Sequence, residues 1–304
     1  MSNDEIYAKV TAKFVEALNA GRSPWATTKI SSGSPKNLLT GKEYTGINRL
    51  VLSIHPMTSL YSTFKQAMQL KAPVKKGESG IPLLKFNVAY KHTNGKIISE
   101  EMFGKLTHGE QLDYQKLTFV NYFTVFSVDQ LTENETMLAK KNLSRKPDIS
   151  FEALLSGYFT VENLSISHHG SIVAFNNRTG ISMPHLWQFE RPEDYYLLLA
   201  NEAVMATGED VRLNWRTSVT QEFAKLVGGI GAAFMADMAG TPTNRIMADA
   251  TDYFPVWSEN ISKDPKYLIR AARIAQKAVD FIADRIDLMS LVNATLQQEE
   301  TELV

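Results

Sequence analysis

The order in which its periodicities occur most constrains what this 304-residue chain can fold into. Two β-type stretches, Ile81–Lys91 and Phe119–Val128, fall in the first half, and Asn94-Gly95 between them is a hairpin signal. The second half carries three long helical patterns: Pro192 to about Thr207, Gln221–Ala239 and Pro265–Asp287. Pro192-Glu-Asp opens the first of these, because acidic residues in a first turn complement the helix dipole. The third places Ile269, Ala272, Ile274, Ala278 and Phe281 on its apolar side. The chain begins with an amphipathic helix over 4–20, carried by Ile6, Val10, Phe14, Ala17 and Leu18 and closed by Gly21. Further helices are expected near Arg49–Ile54, Tyr61–Leu70 and 150–157, and short strands at Ser165–Ser167 and Ser171–Phe175. This is an α+β chain of two domains. An N-terminal α+β domain spans 1–131, a polar linker with Pro147 spans 132–149, and a mainly helical domain with a small sheet spans 150–304. The acidic C-terminal tail is expected to fray.

Charge is also segregated along the chain. Residues 1–98 carry a net +9 and residues 99–304 a net −10, which the overall −1 conceals. Such asymmetry suggests a polyanion partner for the basic part. Residues 22–98 hold twelve basic side chains and two acidic ones, interleaved with Trp25, Tyr44, Tyr61 and Phe64. A basic groove with stacking rings is how single-stranded nucleic acid is bound. Candidate contacts are Arg22, Trp25, Lys29, Lys36, Asn37, Tyr44, Asn48, Arg49, Lys65, Lys75 and Lys76. Trp25 follows Pro24 in a loop, and Asn37 and Asn48 can bond phosphates or base edges. Tyr44 and Phe64 equally suit simple packing.

With no Cys, the chain has no disulfide, no thiolate metal site and no Cys nucleophile. It has no uninterrupted apolar run of transmembrane length, and its first residues lack the pattern of a signal peptide. A cytoplasmic protein is the expectation.

The segment Leu199-Ala-Asn-Glu-Ala-Val-Met205 would read as the H-E-x-x-H helix of a zinc peptidase if His stood at 201 and 205. In that motif two imidazoles four residues apart reach one metal, and the Glu activates its water. Here Asn201 is a poor zinc ligand and Met205 a soft one, so Glu202 has no metal-bound water to act on. The scattered histidines do not replace the site. His168 and His169 are adjacent in a strand-like piece and point to opposite faces.

The chain resembles the ArdC antirestriction family and the related N-terminal domain of plasmid primases. The resemblance is carried by Gly21-Arg-Ser-Pro-Trp25, Pro35-Lys-Asn37, Thr40-Gly-Lys-Glu-Tyr44-Thr-Gly-Ile-Asn48, Thr63-Phe-Lys-Gln-Ala67, Val74-Lys-Lys-Gly-Glu-Ser-Gly80 and Phe126-Ser-Val-Asp129. It continues through Glu152-Ala-Leu-Leu155, Gly180-Ile-Ser-Met-Pro184, Arg212-Leu-Asn214 and Gly231-Ala-Ala-Phe234. It implies a single-stranded DNA-binding N-terminal domain followed by a zincin-like domain. On that resemblance the family's three metal ligands fall on Asn201, Met205 and Gly229, with Glu202 kept.

The reading is a non-enzymatic single-stranded DNA-binding protein of phage or plasmid type, without cofactor or metal. It would protect DNA from host restriction, or recruit a polymerase or replication factor, with a phage or host protein docking on the acidic C-terminal domain. The alternative is a zinc metallopeptidase with unusual ligands.

Overall fold

A computed structural model describes residues 3–25, 33–55, 59–132, 150–168, 174–176, 180–241 and 248–286. The polar segment 133–149, the strand expected from Ser171 up to residue 173, and the acidic tail lie outside these.

The N-terminal part is a five-stranded sheet with helices on it. Helix α1 (Asn3–Asn19) buries Ile6, Val10, Phe14 and Leu18, one side chain per turn. Strand β1 (Lys36–Asn37) precedes α2 (Gly46–Ser53), β2 (Leu60–Thr63) and α3 (Phe64–Gln69). Then come β3 (Ile81–His92), β4 (Ile97–Ser99), the single turns α4 (Glu100–Phe103) and α5 (His108–Gln111), and β5 (Tyr114–Ser127). The sheet order is β1-β2-β5-β3-β4. Strands β3 and β5 pair antiparallel from Ile81↔Val125 to His92↔Tyr114, forming one long ribbon. The turn from β3 to β4 uses Gly95 at φ +91°, a conformation that favours glycine over any side chain.

The helix expected over Tyr61–Leu70 is shorter than its pattern. Leu60–Thr63 is strand, and the helix begins at Phe64. Thr63 stops it extending backward: its side chain accepts from the Gln66 N–H while Gln66 returns a bond to the Thr63 backbone.

The C-terminal part holds α6 (Phe151–Val161), β6 (Ser165–His168), β7 (Ala174–Asn176), β8 (Gly180–Met183), α7 (Pro192–Ala206), α8 (Gln221–Met238), α9 (Phe254–Lys263) and α10 (Lys266–Arg285). Its three strands lie in the order β6-β8-β7, with β6 parallel and β7 antiparallel to β8. Helix α8 is buried along nearly its whole length and forms the centre of this part. No described helix is long and apolar enough to cross a membrane.

One apolar cluster runs through both parts, from Ile6 and Phe14 to Trp257 and Ile286. Polar contacts reinforce the junction. Ser53 donates to Asp237 at 2.8 Å, the Gly46 N–H to Gln276 at 3.2 Å, and Ser258 to Asn19.

Candidate nucleic-acid interface and the altered zincin helix

Many of the polar residues expected to contact nucleic acid are instead engaged in holding the fold. Trp25 is 2 % exposed, with its ring 5.8 Å from that of Trp257. The expected stacking role is corrected: a buried indole cannot meet a base. Arg49 is corrected for the same reason. It is 2 % exposed, donates from Nη2 to the Phe234 carbonyl, and lies 4.4 Å from the Phe234 ring centre. Burial pulls its pKa down, opposed by the carboxylates of Asp237, Glu43 and Asp280.

Asn48 forms a closed pair of hydrogen bonds with the Leu84 backbone, both 2.8 Å, which fastens α2 to β3. Asn37 bonds the Tyr44 hydroxyl and Gln66, and accepts from the Leu39 and Thr40 amides. Tyr44 is half-buried edge-on against Tyr61, and burial raises its pKa despite the Asn37 bond. Lys36 is paired with Glu43 at 3.1 Å. Arg22, Lys65, Lys75 and Lys76 are exposed, and Lys75 donates to the Asp129 carbonyl. Lys29 lies outside the described residues.

Exposed rings and ammonium groups occur together on the ribbon, on both of its faces. Three aromatic rings stand out from it: Phe86 at 48 %, Phe119 at 43 % and Tyr122 at 39 % exposure. The strands around them carry Lys85, Lys91 and Lys116, and no Asp or Glu between Ile81 and His92 or between Tyr114 and Thr124. Pairing fixes the faces. Lys85 sits opposite Asn121 and Asn87 opposite Phe119, so these four share one face with Lys91. Phe86 and Tyr122 occupy the other, where Lys9 of α1 lies 4.7 Å over the Tyr122 ring. Farther out, Tyr90 stacks on Phe103 with centroids 3.6 Å apart, and Tyr114 meets Phe103 and His92 edge-on. These rings stiffen the ribbon. The signal for this site was present in the alternation Lys85-Phe-Asn87 and Phe119-Val-Asn121-Tyr122. It is easily taken for strand periodicity alone.

In the second part, Asn201, Glu202 and Met205 of α7 face α8 and are buried. A Cβ on Gly228 would fall 1.9 Å from Asn201 Oδ1, and one on Gly231 would fall 2.7 Å from Val204. Glycine therefore lets the two helices approach closely, with the Asn201 amide in the space gained. Gly229 is buried beside it and brings no ligand. The Glu202 carboxylate has Lys225 Nζ, one turn before Gly229, at 3.5 Å. These residues do not fit a zinc site of the peptidase kind: an amide, a carboxylate and a thioether without an imidazole, and an ammonium beside the carboxylate. Among the described residues no three His, Asp or Glu side chains gather as a metal site.

Comparison with known proteins matches residues 4–126 to the N-terminal domain of anti-restriction factor ArdC, and residues 155–274 to a zincin-like metallopeptidase family. Among curated relatives, a DNA primase TraC of Escherichia coli is 25 % identical over 91 % of the chain. The chain spans only 27 % of that primase. An uncharacterized protein, y4eC of Sinorhizobium fredii, is 26 % identical, with 91 % of each chain covered. The fold matches crystal structures of the antirestriction ArdC protein from the R388 plasmid. The metal-free form gives a TM-score of 0.70 at 24 % identity over 92 % of this chain and 97 % of that one. The Mn(II)-bound form gives 0.67 at 23 % identity, over 93 % and 98 %.

Proposed function

We propose that this chain, which pairs the N-terminal domain of the ArdC antirestriction family with a zincin-like domain, is a single-stranded DNA-binding protein that acts without peptidase chemistry. The observation that carries the first half is the ribbon. Exposed Phe119 shares one face with Lys85 and Lys91, and exposed Phe86 and Tyr122 share the other with Lys116, on strands free of carboxylates. Rings of this kind stack on bases whatever their sequence, while the ammonium groups pair with phosphates. The observation that supports the second half is the Lys225 ammonium at Glu202, where a working zincin holds its metal and water. A phage or plasmid protein working in the bacterial cytoplasm fits this reading. There it would shield entering DNA from restriction, or bring a replication or transcription factor to a single strand.

The test is fluorescence anisotropy of labelled oligo-dT and of duplex, with wild type and a Phe119→Ala variant. Wild type should prefer the single strand, and the variant should lose roughly 1–3 kcal/mol of binding. Equal affinity for duplex would overturn the reading. Metal analysis of the purified protein and a peptide-cleavage assay test the second half; stoichiometric zinc or manganese with chelator-sensitive cleavage would restore the metallopeptidase.

A further inference from the structure

The most exposed large apolar side chain among the described residues is Trp187, at 78 %. It caps a ladder of four rings. Tyr195 lies 6.3 Å from His168, His168 4.8 Å from His185, and His185 5.7 Å from Trp187, with successive planes within 13–19° of parallel. The ladder is anchored at its inner end, where Tyr195 is buried and its hydroxyl is 3.3 Å from His168 Nε2. Its outer end is held by a tight turn. The His185 N–H donates to the Gln188 side chain at 2.7 Å, and the Gln188 N–H returns to the His185 carbonyl. Trp187 is thus a positioned ring with one face on the stack and the other in solvent. An indole left in water forgoes a large apolar burial, and such rings concentrate at the centres of protein interfaces. Prior ordering by the stack lowers the entropy cost of binding a partner.

Charge selects the occupant. Between His185 and Tyr196 stand Glu190, Glu193 and Asp194 against one base, Arg191, which pairs with Glu193 at 3.7 Å. Burial, with the Glu152 carboxylate adding to it, raises the pKa of Tyr195 at the base of the ladder. The C-terminal part, residues 150–304, carries a net −8. A phosphate backbone is disfavoured on so acidic a stretch, whereas an open indole face within it attracts a cation, arginine above all. We propose that Trp187, just before the acidic stretch from Glu190 to Asp194, is a docking site for an arginine-bearing, cationic segment of a partner protein. This inference does not depend on DNA binding by the ribbon.

The full chain carries four tryptophans, and Trp25, Trp215 and Trp257 are buried. Their indole N–H resonances, with Trp187 assigned by its loss in Trp187→Phe, give a direct readout. The probe is an acetylated peptide of alternating arginine and glycine. A glutamate–glycine peptide and oligo-dT serve as controls. The arginine peptide should shift the Trp187 resonance, leave the three buried indoles in place, and lose its effect in high salt. In Trp187→Ala, the other indoles should stay unmoved by the peptide. Absence of a Trp187 shift, or an equal shift with the glutamate peptide, would overturn the proposal. A shift with oligo-dT but none with the arginine peptide would make the ring a base-stacking platform and overturn it as well.

Discussion

Trp25 shows how a single residue can mislead when only its neighbours in sequence are known. A loop Trp after Pro24 in a basic segment has the chemistry of a stacking ring, yet its partner is Trp257, more than two hundred residues away. No local pattern encodes that pairing. Trp25→Ala should therefore act on stability, costing about 3–5 kcal/mol in urea denaturation, as expected for a truncated buried aromatic. DNA affinity measured where the variant remains folded should stay within about twofold of wild type. A full loss of DNA binding by a variant of unchanged stability would return Trp25 to the interface. His55 is the other residue with a clear expectation. Burial, with Lys13 adding to it, lowers its pKa from 6.5 to about 4. The unfolded chain then takes up a proton at His55 before the folded one does, so stability is lost as pH falls from about 6.5 towards 4. Replacing His55 with Gln should flatten that part of a stability–pH curve recorded by urea denaturation. An unchanged slope would mean that His55 does not set it.

Among elements, the long amphipathic helices were legible because their periodicity is local: Ile6, Val10, Phe14 and Leu18 declare α1 without any tertiary information, whereas α9 (Phe254–Lys263) and the first residues of β5, from Tyr114, were not expected. The faces of the ribbon were not legible, since register between β3 and β5 decides that Lys85 stands beside Asn121 rather than behind it. That Asn201 and Met205 stand where a zinc-peptidase helix carries histidines was visible in the sequence, but the Lys225 contact at Glu202 was not. Lys225 meets Glu202 only because α7 and α8 pack closely at Gly228 and Gly231. Gly228→Ala tests that closeness. The added Cβ would collide with the Asn201 side chain, so the variant should lose about 1–3 kcal/mol, as overpacked cores do. Asn201→Ala should restore part of the loss in the double variant. Additive costs in the double-mutant cycle would show that the two residues do not share the space.

At the scale of the whole molecule, the two family matches suggest two independent units, but the apolar cluster does not stop between them. Helix α1 lies against α9, Trp25 against Trp257, and Arg49 spans from α2 to the Phe234 carbonyl and ring. Separating the parts would expose the faces of α2 and Trp25 and take the Phe234 carbonyl from the Arg49 guanidinium, giving up apolar burial and a charge-assisted hydrogen bond of about 1.5–3 kcal/mol. Thermal unfolding of the full chain should accordingly be a single transition, with calorimetric and van't Hoff enthalpies in agreement. Residues 1–131 expressed alone should unfold at lower temperature than the full chain, and should recover when co-expressed with residues 150–304, the two fragments copurifying as a complex. The same recovery should restore oligo-dT affinity, because the ribbon hangs from a sheet whose other face is held by this junction. A fragment 1–131 as stable as the whole chain, indifferent to its partner, would show that the shared core contributes little and that the two parts act separately.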